Sequence, residues 1–356
     1  MRKKLFIPGP IEVAPDVLSQ FSAPMIGHRT QEYSDLHGRV KTKLQQVLYT
    51  QNKVFLSTSS GTGWMEAAMR NCVSTRVLNL VCGEFGERWH DIAKVNGKPA
   101  DALRVELGKA IKPALVQDAL ATGKYDAVAL THNETSTGVM NPLAEIAAVV
   151  RQFPDVIFMV DAVSSMGGVK IEVDQLGIDI CLASSQKAFG LPPGFAVCSV
   201  SSKALAKAAT VPHRGYYFDF LVFDEYDAKN QTPTTPSLSH LFAFDYQLSK
   251  WLAQGLDQRF DCHHQMAKRC RAWAIARGFT LFAEPGYESI TLTTVNNTRG
   301  ISVSGLNDEL GKRGFMISAG YGKLKEQTFR IAHMGDITMQ DLDELLGAID
   351  DVLKLN

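Results

Sequence analysis

Val156-Ile157-Phe158-Met159-Val160-Asp161 and Ile178-Asp179-Ile180-Cys181-Leu182-Ala183-Ser184-Ser185-Gln186-Lys187 are two apolar runs that each end in residues capable of chemistry. Both have the length of a strand and are rich in β-branched residues. Continuous apolar character, rather than alternation, suits strands buried on both faces of a parallel sheet. In open α/β sheets ligands collect beyond the carboxyl ends of the strands. Asp161 and Lys187 are therefore expected to face one crevice.

An acid and an amine in that arrangement suit pyridoxal 5'-phosphate. Lys187 would hold the aldehyde as a Schiff base, and Asp161 would keep the pyridine nitrogen protonated. The protonated ring draws electrons from the substrate α-carbon. Taken singly, each residue reads more simply as a strand-end acid or a loop lysine.

Several separate motifs carry a resemblance. Val160-Asp161-Ala162-Val163-Ser164-Ser165-Met166-Gly167-Gly168, followed by Ser184-Ser185-Gln186-Lys187-Ala188-Phe189-Gly190-Leu191-Pro192-Pro193-Gly194, resembles the class V aminotransferases. Within them it is most similar to the alanine–glyoxylate and serine–pyruvate group. The likeness runs from Pro8-Gly9-Pro10 to Phe329-Arg330-Ile331. It implies a fold-type-I α/β architecture. A large domain with a mostly parallel, seven-stranded type of sheet would carry a smaller C-terminal α+β domain. The expected division is an arm over 1–20, a cofactor domain over 21–255 and a small domain over 256–356.

The resemblance also implies roles. Ser60, Gly61 and Thr62 would receive the cofactor phosphate, and Phe85 would lie on the pyridine ring, where Trp or Tyr is more usual. Thr135 would bond the ring oxygen, and Val163 and Gln186 would line the cofactor site. Thr234 would reach across a homodimer to the neighbour's phosphate. Gln231 stands where a Tyr is often found. Arg330 would fork onto the substrate carboxylate, and Gly9, His28 and Arg29 would lie at the substrate mouth.

The residues give these roles independent physical sense. Lys53-Val54-Phe55-Leu56 reads as a strand, Ser57-Thr58-Ser59-Ser60-Gly61-Thr62-Gly63 as a small polar loop, and 64–71 as a helix. Strand, loop and helix start is how a chain captures phosphate, with free N–H groups aimed at the anion. A planar guanidinium suits a carboxylate because it can bond both oxygens at once.

Further strands are expected at 77–82, 126–130, 194–200, 290–295 and 329–333. Helices are expected at 36–48, 112–121, 142–153, 305–313 and 341–353, with one long helix from 240 to about 277. The β-then-α order argues for a sheet covered on both faces. Residues 211–237 read as irregular. Trp89 reads as core, and His132 as a strand-end histidine with either a structural or a site role.

A chain of 356 residues accommodates about two domains. Its 37 basic and 37 acidic residues cancel, which offers no electrostatic case for nucleic acid or an anionic membrane. No apolar run approaches a membrane span. Pro8-Gly9-Pro10 cuts the apolar start too short for a signal peptide, and Lys354-Leu355-Asn356 is no peroxisomal address. Cys72, Cys82, Cys181, Cys198, Cys262 and Cys270 show no C-x-x-C spacing, as expected of reduced thiols in a cytoplasmic protein. His263 and His264 are adjacent and would not face one another on a helix, so no metal site is expected.

The expected activity is transamination from serine or alanine to glyoxylate or pyruvate. Phosphoserine or aspartate as donor is the alternative, and would need another basic group among His28, Arg29, His213, Arg214 and His333. A cysteine desulfurase is disfavoured, because no Cys follows Cys270 and Gln186 stands where His is common. A catalytically idle, cofactor-binding subunit is the rival from another class.

Overall fold

A computed structural model describes residues 2–355. Met1 and Asn356, which close the expected arm and small domain and enter the readings of the two chain ends, lie outside the described residues. The strands are β1 (Lys4–Phe6), β2 (Lys53–Ser57), β3 (Val77–Val81), β4 (Ala100–Arg104), β5 (Ala127–Thr131), β6 (Asn133–Glu134), β7 (Val139–Met140), β8 (Ile157–Asp161), β9 (Ile180–Ser184), β10 (Ala196–Val200), β11 (Thr280–Leu281), β12 (Leu292–Asn296), β13 (Phe315–Ala319) and β14 (Thr328–Ala332).

Seven strands form the larger sheet in the order β2-β10-β9-β8-β5-β3-β4. β10 runs antiparallel to both its neighbours, and the β9-β8-β5-β3-β4 pairs are all parallel. Every residue of β3, β5, β8, β9 and β10 is buried. Alternation along β8 divides its side chains between two cores: Phe158 and Val160 enter one, and Ile157 and Met159 the other. This is the double burial that the unbroken apolar runs require.

The second sheet has the order β1-β13-β14-β12-β11. Helices Leu256–Ala276, Val303–Lys312 and Met339–Leu353 cover it through Met266, Trp273, Leu306, Leu345 and Ile349, which pack with Phe329 and Ile331. β1 pairs in parallel with β13. The N-terminal arm is thus tied into the second sheet, and a short helix, Pro15–Ser19, follows that strand.

Two other expectations change. The single helix foreseen from 240 to 277 is two helices, Leu238–Gln254 and Leu256–Ala276, broken at Gly255. Gly255 has φ +92°, outside the right-handed helical region and accessible chiefly to glycine. The stretch 211–237 is not wholly irregular. Phe220–Asp227 is a helix whose N-cap Asp219 accepts from Leu221 N, and Phe220 and Phe223 are buried in the core with Phe55 and Trp64. Edge strand β4 and helix Ser202–Thr210 were also unforeseen.

Candidate active site

β8 and β9 end side by side, with Asp161 in register with Leu182, two residues before the end of β9. The Ser185-Gln186-Lys187 loop follows directly. Asp161 is buried, and its Oδ1 accepts from Val163 N at 2.8 Å. No hydrogen bond reaches its Oδ2 among the described residues. Burial raises the Asp161 pKa to about 6, although Val163 N–H, Lys187 and Arg88 favour the charged form. Burial lowers the Lys187 amine to about 8, partly offset by the charge of Asp161.

The arm closes over Lys187. Its Nζ donates to the carbonyl of Pro8, and Ile11 N donates to Gln186 O at 3.3 Å. A Cβ on Gly9 would stand 2.8–2.9 Å from Lys187 Cδ, Cε and Nζ, and Gly9 has φ +136°. Only a residue without a side chain permits that approach. Gly9 therefore touches the lysine itself.

Helix Gly61–Cys72 begins beside this pair. Ser60 is its N-cap and contributes no side-chain cap. The N–H groups of Gly61 and Thr62 have no acceptor among the described residues. Ser184 Oγ, at the end of β9, is buried without a partner and lies 3.6 Å from where a Gly61 Cβ would be. Val163 Cγ2 would be 2.6 Å from that Cβ, so Gly61 allows the helix start to meet the Asp161 loop.

Helix Glu84–Val95 brings Phe85 and, three residues later, Arg88 to the same region. Arg88 Cζ lies 4.6 Å from the Phe85 ring centroid, and Arg88 Nη1 donates to Thr62 Oγ1 at 3.3 Å. Glu134 is fully buried and anchors the helix start. Its carboxylate accepts from Phe85 N at 3.0 Å, Gly86 N at 3.1 Å and Ser136 Oγ at 2.6 Å. An anion at a helix N-terminus is favoured by the dipole. Burial nonetheless raises the Glu134 pKa above its ordinary value.

Arg330 arrives from β14 of the second sheet. Its Nε and Nη2 donate to Ala319 O at 3.1 and 3.0 Å, and its Nη1 to Thr135 O at 3.1 Å. Three of its five N–H groups are so used. Tyr321 covers it at 5.6 Å from ring centroid to Cζ, and meets Phe85 at 6.0 Å between centroids. Thr135 Oγ1 pairs with Ser164 Oγ at 2.6 Å.

Other expected residues lie apart from this cluster. Arg29 donates to Gln231 Oε1 and to the carbonyls of Thr232 and Pro233, and stacks on Tyr226. It shapes the segment that carries Thr234, whose carbonyl accepts from Thr232 Oγ1 at 2.7 Å. His28 is half-buried, with no hydrogen bond to either Lys187 or Arg330. Arg214 pairs with Asp219, and His213 is exposed. His333 is fully buried against Thr293 Oγ1, and burial lowers its pKa to about 3. His132 is buried with its Nδ1 3.0 Å from Ser165 Oγ, and Trp89 is fully buried. Sequence reasoning missed Arg88, Glu134 and Tyr321. Arg88 left a signal, since residues three apart share a helix face and Phe85 was already marked.

Pyridoxal phosphate fits what is present. The free Asp161 Oδ2 suits a ring nitrogen, and Lys187 suits an aldehyde. The free N–H groups of Gly61 and Thr62, with the orphaned Ser184 Oγ, suit a phosphate. Gln186 Oε1 is a further buried acceptor without a partner. A buried polar atom without a partner is costly unless something fills its place. Among the described residues, no group of three or more His, Cys, Asp or Glu could hold a metal, and no helix is long and apolar enough to cross a membrane.

Known proteins resemble the chain along its length. The sequence model of the family described as aminotransferase class-V matches residues 18–345. An uncharacterized aminotransferase of Methanocaldococcus jannaschii is 39% identical, over 99% of this chain and 93% of that one. The soluble hydrogenase 42 kDa subunit of Anabaena cylindrica is 33% identical, over 98% and 92%. The L-aspartate–glyoxylate aminotransferase of Paracoccus denitrificans is 30% identical, over 94% and 87%. Among solved structures, an alanine–glyoxylate aminotransferase from Nostoc sp. superposes with a TM-score of 0.94 at 27% identity, covering 99% of this chain and 96% of that one.

Proposed function

This chain belongs to the class-V aminotransferase family, and from that premise we propose that it moves an amino group from serine or alanine to glyoxylate or pyruvate. When bound, pyridoxal 5'-phosphate supplies an aldehyde for the substrate nitrogen and an electron-poor ring that acidifies the substrate α C–H. Lys187 Nζ would hold the cofactor through its aldehyde. Its nitrogen, free of the cofactor, would serve as the base and then the acid for the substrate α-proton. Asp161 Oδ2 would accept from the ring nitrogen and favour its protonated form. Arg330 offers its two remaining N–H groups to the substrate carboxylate. The donor leaves as a 2-oxo acid, and a second 2-oxo acid takes up the nitrogen.

The observation that carries this reading is the placing of Asp161 and Lys187 at adjoining strand ends, with Asp161 and Arg330 both close enough to act on Lys187 electrostatically. A donor with one carboxylate needs no second cation. A second acidic group would need one to offset its desolvation. Of the cations read as candidates from the sequence, Arg29 and Arg214 are engaged elsewhere and burial holds His333 uncharged, while Arg88 is assigned below to the cofactor phosphate. That favours serine or alanine over phosphoserine. The name of the Paracoccus relative favours aspartate as second reading. A panel of serine, alanine, aspartate and phosphoserine, each against glyoxylate, pyruvate and 2-oxoglutarate, tests the choice. A kcat/KM for aspartate or phosphoserine well above that for serine and alanine overturns it.

The Anabaena relative's name, a soluble hydrogenase subunit, keeps a subunit role open, and a catalytically idle, cofactor-binding subunit is the rival reading. Loss of the cofactor's absorbance on adding an amino acid alone would eliminate that rival. The working unit is a homodimer in the cytoplasm, with Thr234 serving the neighbour's phosphate. The chain divides into an arm over 1–20, a cofactor domain over 21–255 and a small domain over 256–356. Ser60, Gly61, Thr62, Phe85, Thr135, Val163 and Gln186 hold the cofactor, and Gly9, His28 and Arg29 border the substrate path.

A further inference from the structure

We propose that Arg88 is a cationic ligand of the cofactor's phosphate, an inference that rests on the pyridoxal phosphate reading above. Arg88 is half-buried between Phe85 and Thr62, and its single hydrogen bond within the described residues goes to Thr62 Oγ1 at 3.3 Å. No carboxylate or carbonyl partners it among those residues. The other shielded arginines differ. Arg259 has Asp336 and three carbonyls, Arg330 two carbonyls, and Arg271 the carbonyls of Glu288 and Ser289. A half-buried guanidinium with four N–H groups unspent has donors to offer an anion.

What completes it is indicated by its neighbours. Thr62 Oγ1, the acceptor of Arg88, belongs to the residue whose own N–H is free at the start of a twelve-residue helix. The fully buried Ser184 Oγ, without a partner, faces the same helix start. These donors converge on one anion. A helix N-terminus supplies the equivalent of about half a positive charge, too little for a phosphate dianion. Arg88 provides a whole charge in a planar, bidentate form. The Phe85 ring backs the guanidinium at 4.6 Å and limits the rotamers it can visit.

The test compares cofactor affinity with and without the phosphate. Apoprotein of the full chain, wild type and Arg88→Gln, is titrated with pyridoxal 5'-phosphate and with pyridoxal, and binding is followed by absorbance. Losing a charge-assisted hydrogen bond should weaken pyridoxal phosphate binding roughly ten- to hundredfold. Pyridoxal, which lacks the phosphate, should bind both proteins alike. Arg88→Lys keeps the charge and should recover part of the loss, and it serves as the reading if Arg88→Gln fails to fold. Equal weakening of both ligands would overturn the proposal in favour of a packing role. Unchanged affinity for both, with a selective rise in the KM of aspartate, would assign Arg88 to a donor's second carboxylate and overturn it too. Wild-type apoprotein that bound neither ligand would instead defeat the cofactor reading, a result distinct from either.

Discussion

Arg330 Nη1 donates to the carbonyl oxygen of Thr135 at 3.1 Å, so that a strand of the second sheet is bonded to the turn between β6 and β7. The remaining bonds of the guanidinium go to Ala319 O on the neighbouring strand β13. Arg330 is thereby oriented by β13 and by the β6–β7 turn. Burial lowers its pKa to about 10, which still leaves it charged at neutral pH. A pre-positioned charge spends little entropy when an anion arrives.

Arg330→Ala should therefore lower kcat/KM for amino donors by roughly ten- to hundredfold, equivalent to about 1.5–3 kcal/mol for a lost charge-assisted hydrogen bond. Cofactor affinity should hardly change. Steady-state kinetics and an absorbance titration check the two halves, and undiminished kcat/KM refutes the role.

Cofactor capture should depend on pH through Lys187. Only the neutral amine attacks an aldehyde, and burial lowers this amine to about 8. The rate at which apoprotein combines with pyridoxal phosphate should rise with pH and level off above about 8, rather than near the ordinary lysine value. Borohydride should then fix the label to Lys187. Peptide mapping that found the label on another lysine would refute the assignment.

Tyr321 faces both Arg330 and Phe85, and its hydroxyl has no partner among the described residues. Its contribution is the ring. A cation–π contact at a partly exposed site contributes about 0.5–1 kcal/mol. Tyr321→Ala should raise the donor KM by about two- to fivefold, while Tyr321→Phe stays near wild type. A Phe variant as impaired as the Ala variant would shift the role to the hydroxyl.

If Thr234 serves the neighbouring site, dilution that splits the dimer should release cofactor. Thr234→Ala should weaken cofactor binding without splitting the dimer. Sedimentation with simultaneous assay measures both, and a fully active monomer contradicts the arrangement.

The strand-and-helix order of this protein was legible in its sequence. The apolar runs of β8 and β9 are local signals, because a strand buried on both faces of a parallel sheet has no polar face to alternate with. The same strands, read outward, pointed to Asp161 and Lys187 at one crevice, because parallel strands must end on the same side. Gly255 breaks the helix at φ +92°, but a single glycine inside a long helical pattern does not by itself announce a break. The tertiary structure alone decided that β1 would pair with β13 and that Pro8 and Gly9 would close on Lys187. Those contacts join residues far apart in sequence, and no local preference encodes them. The same holds for Arg88 and Glu134. An arginine without a counter-ion, and a buried carboxylate satisfied by backbone N–H groups, differ from ordinary surface charges only in their surroundings. Burial supplies that difference, and burial exists only once the chain has folded.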